Sequence, residues 1–255
     1  MKVHVLQGFI QNIFLVEYPD KCMLLDGCAR ADFNTIEAFF REELKRPLSD
    51  LKVVIVTHMH PDHAGCAHYL RARTNCLVIA ANRHEQWYSG ISGRFSHLVD
   101  IALAFWVAGK LKRKKQNIYY SPKLSPDLRI LNKARVPGFN DWQILETPGH
   151  TDRDLSVMHL PSKRIYVADL IVRVKQKYSA PYPVHLPTLY RASLQLVAEL
   201  QPRSVMMAHA PEAHINQQEF NDLIASAPTE AANNSRAVKR LLKKLIFRKR
   251  HAASS

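Results

Sequence analysis

The run Thr57-His58-Met59-His60-Pro61-Asp62-His63-Ala64-Gly65, directly after the apolar stretch 53–56, constrains this chain more than any other feature. A β-branched run that breaks into a loop reads as a buried strand with an open carboxyl end. Three histidines and one aspartate fall within residues 58–63. Imidazole and carboxylate ligate zinc and related divalent cations, and one loop can aim several at one centre. A catalytic zinc takes about three protein ligands and keeps one position for water. Four ligands in one loop therefore exceed the need of a single ion. The expected partition puts His58 and His60 on one cation, Asp62 and His63 on its neighbour. The plain alternative is a His-rich surface loop without metal, and residues further along the chain argue against it.

Those residues come in order. Thr147-Pro148-Gly149-His150-Thr151 follows the strand-like stretch 142–145. Residues 164–169 read as a strand ending on Asp169, and residues 204–209 as a strand ending on His209. Each candidate ligand sits at the carboxyl end of an apolar strand, where open α/β sheets place their sites. Asp169 is the natural bridge, because a carboxylate can offer one oxygen to each of two ions.

In this order, HxHxDH, then TPGH, then a strand-end Asp and a strand-end His, the chain resembles the metallo-β-lactamase-fold hydrolase superfamily. The likeness covers roughly residues 3–225. Segments 12–16 and 22–27 look like that family's opening hairpin, with 18–21 as its turn, and 193–202 like the helix before its last ligand strand. The resemblance implies an α/β fold, the αββα four-layer sandwich. It also implies a metal set of His58, His60, Asp62, His63, His150, Asp169 and His209. Two departures touch no ligand: Ala210 follows His209 where the family usually has Gly, and Arg153-Asp154 stands where many members carry Gly-His.

Within the superfamily the full set of five His and two Asp looks like the glyoxalase II and lactonase branch rather than a true β-lactamase. The lactamases usually place Cys or Ser at the position of Asp169 and are exported. Residues 1–25 lack a basic start, an apolar core and a small-residue cleavage site, so a cytoplasmic location is expected. Only 46 residues follow His209, which argues against the helical substrate domain of glutathione-thioester hydrolases. Lactonases often carry a Tyr soon after the bridging Asp, but Leu170-Ile171-Val172 follows here. A helper would then come from Tyr178, Tyr182 or His185. The last two lie in the Pro-rich segment 180–187 and are candidate substrate contacts.

The implied chemistry is hydrolysis of an ester, lactone or thioester by a hydroxide bridging two divalent cations, zinc first, manganese or iron as alternatives. Asp62 would orient the nucleophile or shuttle its proton as the catalytic residue. Two other readings share the ligands: a phosphodiester hydrolase acting on a lipid or nucleotide, and a non-catalytic metal-binding sensor. A complete ligand set favours an enzyme over the sensor.

Length and composition fit one hydrolase domain over 1–226, since 255 residues at 47% hydrophobic content can bury a large core. Cys22, Cys28, Cys66 and Cys76 show no metal or disulfide spacing and read as buried thiols. Between His63 and His150 lie 86 residues, more than a compact member needs, and the excess is placed as a helical insertion at about 85–135. Its centre, 98–108, is apolar on nearly every face, and a helix of that kind must be covered. Packing, a lid over an apolar or acyl-chain small-molecule substrate, a dimer contact or a membrane-facing surface would each do so. Trp87, Tyr88, Tyr119 and Tyr120 are placed in the same cap.

Residues 227–255 read as a linker and a basic amphipathic tail. Positions 236–255 carry eight Lys or Arg and no acid, within a formal net charge of +14. Such a tail points to an anionic membrane surface, with peripheral association at the inner face. It lacks a nucleic-acid reading motif, which argues against nucleic acid as the partner. The histidines outside the ligand pattern, such as His4, His68 and His97, read as packing or surface residues.

Overall fold

Strands β1 (Lys2–Gln7), β2 (Asn12–Glu17), β3 (Cys22–Leu24), β4 (Leu51–Val56), β5 (Leu77–Ala81) and β6 (Leu128–Ile130) lie side by side in chain order in the computed structural model, which describes residues 1–232. The first three pair antiparallel, and β3 to β6 run parallel. Helices α1 (Phe33–Phe39), α2 (Pro61–Ala64), α3 (Ala67–Thr74) and α4 (Gly90–Lys110) fill the crossovers that parallel pairing requires. A second six-stranded sheet holds β7 (Arg135–Val136), β8 (Phe139–Glu146), β9 (Leu155–His159) and β10 (Arg164–Tyr166). A small hairpin, β11 (Val172–Val174) with β12 (Lys177–Ser179), and α5 (Pro187–Glu199) lead to β13 (Ser204–Met207), β14 (Ala210–Ala213) and α6 (Gln217–Ala225). The spatial order of this sheet is β14-β13-β10-β9-β8-β7, with β10 and β13 parallel across α5.

The period of two along each strand divides the core into layers. Phe14, Val16, Met23, Val53 and Ile55 of the first sheet meet Trp142, Ile144, Val157 and Tyr166 of the second between the sheets. Their alternates Leu15, Leu24, Val54 and Val56 pack outward on Phe33, Ile36, Ala67 and Leu70. On the far side Leu145, Met158, Ile165 and Val205 pack on Leu194, Val197, Phe220 and Leu223 of α5 and α6. This is the expected αββα sandwich. Strand β4 is buried on both faces, which is why 53–56 is unbroken in hydrophobicity. The four cysteines are buried free thiols.

Several elements differ from their sequence reading. Edge strand β1 had no counterpart, because its half-exposed residues dilute the alternation. Residues 61–74 form two helices rather than one: the Cys66 N–H donates to Gly27 O and Cys28 O, which breaks the ladder between them. The insertion at 85–135 is helical only at Gly90–Lys110. Its later part supplies β6 beside β5 and β7 beside β8, so it belongs to the sandwich. Strands β6 and β7, three and two residues long, carry too little periodicity of their own and no adjoining motif to mark them. The basic segment 236–250 lies outside the described residues.

Candidate metal centre

All seven expected ligands converge where the carboxyl ends of the strands open, in two groups. His58, His60, His150 and Asp169 form one, Asp62, His63 and His209 the other, and within each group the donor atoms lie within 4.8 Å of one another. Donors about 2 Å from a shared ion must lie that close. Strand β4 delivers His58 and His60, with His60 just before α2, which has Pro61 at its first position and carries Asp62 and His63. Strand β8 ends at Glu146, four residues before His150. Strands β10 and β13 end at Tyr166 and Met207, so Asp169 and His209 sit two or three residues beyond their strands rather than on the last residue.

Asp169 stands between the groups. Its Oδ2 is 3.9 Å from His58 Nε2 and 3.7 Å from His150 Nε2, while Oδ1 is 3.4 Å from His63 Nε2 and 3.3 Å from His209 Nε2. Asp62 Oδ2 lies 3.3 Å from His63 Nε2 and 3.2 Å from His209 Nε2. His63 Nε2 and Asp169 Oδ1 are buried without a hydrogen-bond partner among the described residues. Buried polar atoms are almost always satisfied, so this pair of orphans fits a cation between them.

The outer nitrogen of four imidazoles is held by the protein, which aims the other inward. His58 Nδ1–H donates to Thr57 Oγ1 at 3.2 Å, and that hydroxyl donates to Asp26 Oδ2 at 2.9 Å. His63 Nδ1 donates to the same Asp26 oxygen at 2.6 Å, His150 Nδ1 to Pro183 O at 2.6 Å, and His209 Nδ1 to Ile10 O at 3.1 Å. His60 is turned the other way: Nδ1 faces His58 and His150 at 3.1 and 3.0 Å, and Nε2 points toward Asp100 Oδ2 at 3.8 Å.

Electrostatics separate the groups. Burial pushes the imidazoles of His58, His60 and His150 down, His60 to about 4, so they are neutral and lone-pair bearing at pH 7. In the other group burial also works against charge, yet Asp62 and Asp169 outweigh it and raise His63 and His209, the latter to about 10. Burial likewise opposes ionisation of Asp62 and Asp169, but His63 and His209 hold both carboxyls well below the usual range. The carboxylate pair thus demands positive charge, which either protons on His63 and His209 or a cation ligated in their place can supply.

Sequence reasoning passed over four supporting residues. Asp26 accepts from Thr57 Oγ1, His63 Nδ1 and Tyr166 Oη, binding the ligand loop to both sheets. Asp154, one of the departures from the family pattern, accepts from Gly149 N, Thr151 N and Thr151 Oγ1 and so shapes the loop of His150. Asp100 comes from the inserted helix, buried with its carboxyl pushed up to about 6 by burial, and accepts from Tyr88 Oη at 2.8 Å. Tyr120 Oη donates to Met59 O between two ligands. Only Asp26 had a local signal, a carboxylate on a glycine at a strand end like the ligands themselves.

The site opens into a cleft of about 370 Å³ whose lining includes His60, Asp62, Asp169 and His209 and, from α4, Leu103, Ala104 and Val107. Tyr182 belongs to this lining. His185 does not. Its N–H donates to Gly149 O at 3.0 Å and its ring stands edge-on to Trp87 at 5.2 Å, so it braces the His150 loop from behind. Tyr178, the other candidate helper, packs under Arg173 on the β11–β12 hairpin. Of the aromatic residues placed in the cap, Tyr88 is buried beneath α4 and Tyr119 is exposed, so neither forms a cleft wall.

Comparison with known proteins agrees with this geometry. Two curated Bacillus subtilis proteins are similar to the chain. "Probable metallo-hydrolase YqjP" is 25% identical over 176 residues, 64% of this chain and 55% of that protein, so the chain spans about half the length of this relative. "Probable metallo-hydrolase YflN" is 22% identical over 230 residues, 81% of this chain and 83% of that protein. Among solved structures, the metallo-beta-lactamase family protein TTHA1429 from Thermus thermophilus superposes with a TM-score of 0.66 at 18% identity. That superposition covers 88% of this chain and 78% of the other. The family model described as the metallo-beta-lactamase superfamily matches residues 6–209, every candidate ligand included, and the chain belongs to that superfamily.

Proposed function

We propose that the chain is a hydrolase of ester-like carbonyl bonds, lactone or thioester included, that works with two divalent cations. The glyoxalase II and lactonase branch is the nearest functional model, zinc the first candidate metal, manganese or iron the alternatives. The observation that carries the reading is Asp169, whose two oxygens each face a separate cluster of inward-aimed donors. Bound cations would supply an acidified water at neutral pH and polarise the substrate carbonyl.

The chain's own residues do the rest. His58, His60 and His150 with Asp169 would hold one cation, and Asp62, His63 and His209 with Asp169 the other. Asp62 reaches the cleft surface, placed to orient the attacking water and take its proton. Leu103 and Val107 offer an apolar wall for an acyl chain, and Tyr182 a rim contact for the polar end. The hydrogen bonds behind the imidazoles fix the donors before substrate arrives, so little reorganisation accompanies the reaction.

The test is elemental analysis of metal-replete protein together with a panel of lactones, thioesters, aryl esters and phosphodiesters. Two equivalents and turnover on a carbonyl ester are expected, both lost together in Asp169→Ala. Leu103→Ser with Val107→Ser should lower kcat/KM roughly tenfold or more on long acyl esters and leave acetyl esters little changed. One equivalent in the replete protein, or turnover confined to phosphodiesters, defeats the proposal.

A further inference from the structure

Helix α4 carries two apolar faces that point in different directions. One packs Ile101, Ala104 and Ala108 on Phe9 and Ile10 and offers Leu103 and Val107 to the cleft. The other presents Ile91, Phe95, Leu98 and Trp106, which are 90, 63, 55 and 49% exposed. Their spacing of four, three and eight residues keeps them on one stripe, so they form a patch rather than a scatter. Lys110, Lys112, Arg113, Lys114 and Lys115 follow, all exposed, and the sequence has no acid between Asp100 and Asp127. Lys110 Nζ sits 5.5 Å above the Trp106 ring, so charge and apolar surface meet at one end of the stripe. Leu111, half-exposed, also lines the cleft and joins the patch to its mouth.

We infer that this face docks the protein on an anionic bilayer, with α4 lying in the interface, its stripe among the acyl chains and the five cations at and just beyond its C-terminal end on the head groups. A bare apolar stripe bordered by Lys and Arg is the composition of an interfacial helix. Each cation near an anionic leaflet contributes on the order of 1 kcal/mol. The helix is long and apolar enough to cross a membrane. Its inner face, however, is bound to the site through Asp100 and through His97, which packs edge-on against Tyr88 and tilted against Tyr120. Only the outer face is open to lipid, so the helix lies on the bilayer rather than through it. A second copy meeting this face about a twofold axis would bring the same cations and, from this helix end, no acid to answer them. The inference goes beyond hydrolysis and stands whatever bond the cleft cleaves.

The test uses the full chain with phosphatidylcholine vesicles, with and without phosphatidylserine. Wild-type protein should sediment with the anionic vesicles and be released by salt. Brominated acyl chains should quench tryptophan fluorescence, and Trp106→Phe should still bind but lose that quenching. Phe95→Ser with Leu98→Ser should weaken partitioning by roughly tenfold or more, with an unchanged near-ultraviolet spectrum from buried Trp142. Equal partitioning of the double variant and wild type would assign binding to another segment, such as 236–250, and overturn the inference. So would the absence of vesicle binding, or a dimer in solution that the double variant abolishes while neither protein partitions.

Discussion

Asp32 shows how a single buried carboxyl links the mouth of the site to the fold. It accepts hydrogen bonds from Phe9 N at 2.6 Å, Gln11 Nε2 at 2.8 Å and Ala29 N at 2.9 Å. Those bonds tie the loop that carries Ile10, whose carbonyl holds His209, to the segment before α1. Burial lifts its pKa from 3.8 to about 6 although the hydrogen bonds oppose the rise. A raised folded pKa means that folding takes up a proton. The stability this group contributes is therefore full below its ordinary pKa of 3.8 and lost as pH rises through about 6. The unfolding free energy of wild type relative to Asp32→Asn should fall by about 2–3 kcal/mol between pH 4 and pH 7.5. Urea titrations across that range check it, and a flat difference would show that the carboxyl stays charged.

At the scale of elements, the ligand loops are positioned by contacts that leave no room for a side chain. Gly149, at φ +154°, lies against α5: a Cβ there would sit 2.3 Å from Tyr190 Cα and 2.4 Å from its Cβ. Tyr190 is fully buried and its hydroxyl donates to Leu170 O, next to Asp169, so α5 cannot simply move away. Gly149→Ala should destabilise the protein by roughly 3 kcal/mol or more and displace His150, lowering metal affinity as well. Denaturant midpoints and chelator competition measure the two effects. Loss of stability with unchanged affinity would show that α5 yields and the His150 loop does not. Helix α4 works at the same scale. It supplies the Asp100 carboxyl behind His60 and an apolar wall opposite Asp62, which a packing segment alone would not need to do.

At the scale of the whole molecule, two sheets meet with their ligand-bearing loops at one edge, so a cation bound there crosslinks both. Ligand binding to the folded state at a hundred times its dissociation constant stabilises by about 2.7 kcal/mol. For a domain of this size that corresponds to roughly 5–10 °C in the thermal midpoint. Chelator-treated wild type should melt lower by that order than zinc-replete protein, and Asp169→Ala should show no such difference in calorimetry. Equal shifts in both proteins would mean that zinc binds elsewhere. The sequence by itself placed the candidate ligands at strand ends, because chemistry at β4, β8, β10 and β13 is written as short motifs after apolar strands. The sandwich followed from the family resemblance those motifs carry, since periodicity alone gives only mixed α and β. The sequence could not place β6 and β7, whose two or three residues have no period. Nor could it see that His185 faces Trp87 while Tyr182 lines the cleft, since both share one Pro-rich loop. Asp100 left no trace in the sequence and Asp26 only a local one: the first lies 40 residues after His60 and the second 37 before His63, and only packing brings them beside those rings. Strand patterns are local and survive in one dimension, whereas outer-shell carboxylates and exposed helix faces depend on which elements meet, and that is decided by tertiary packing.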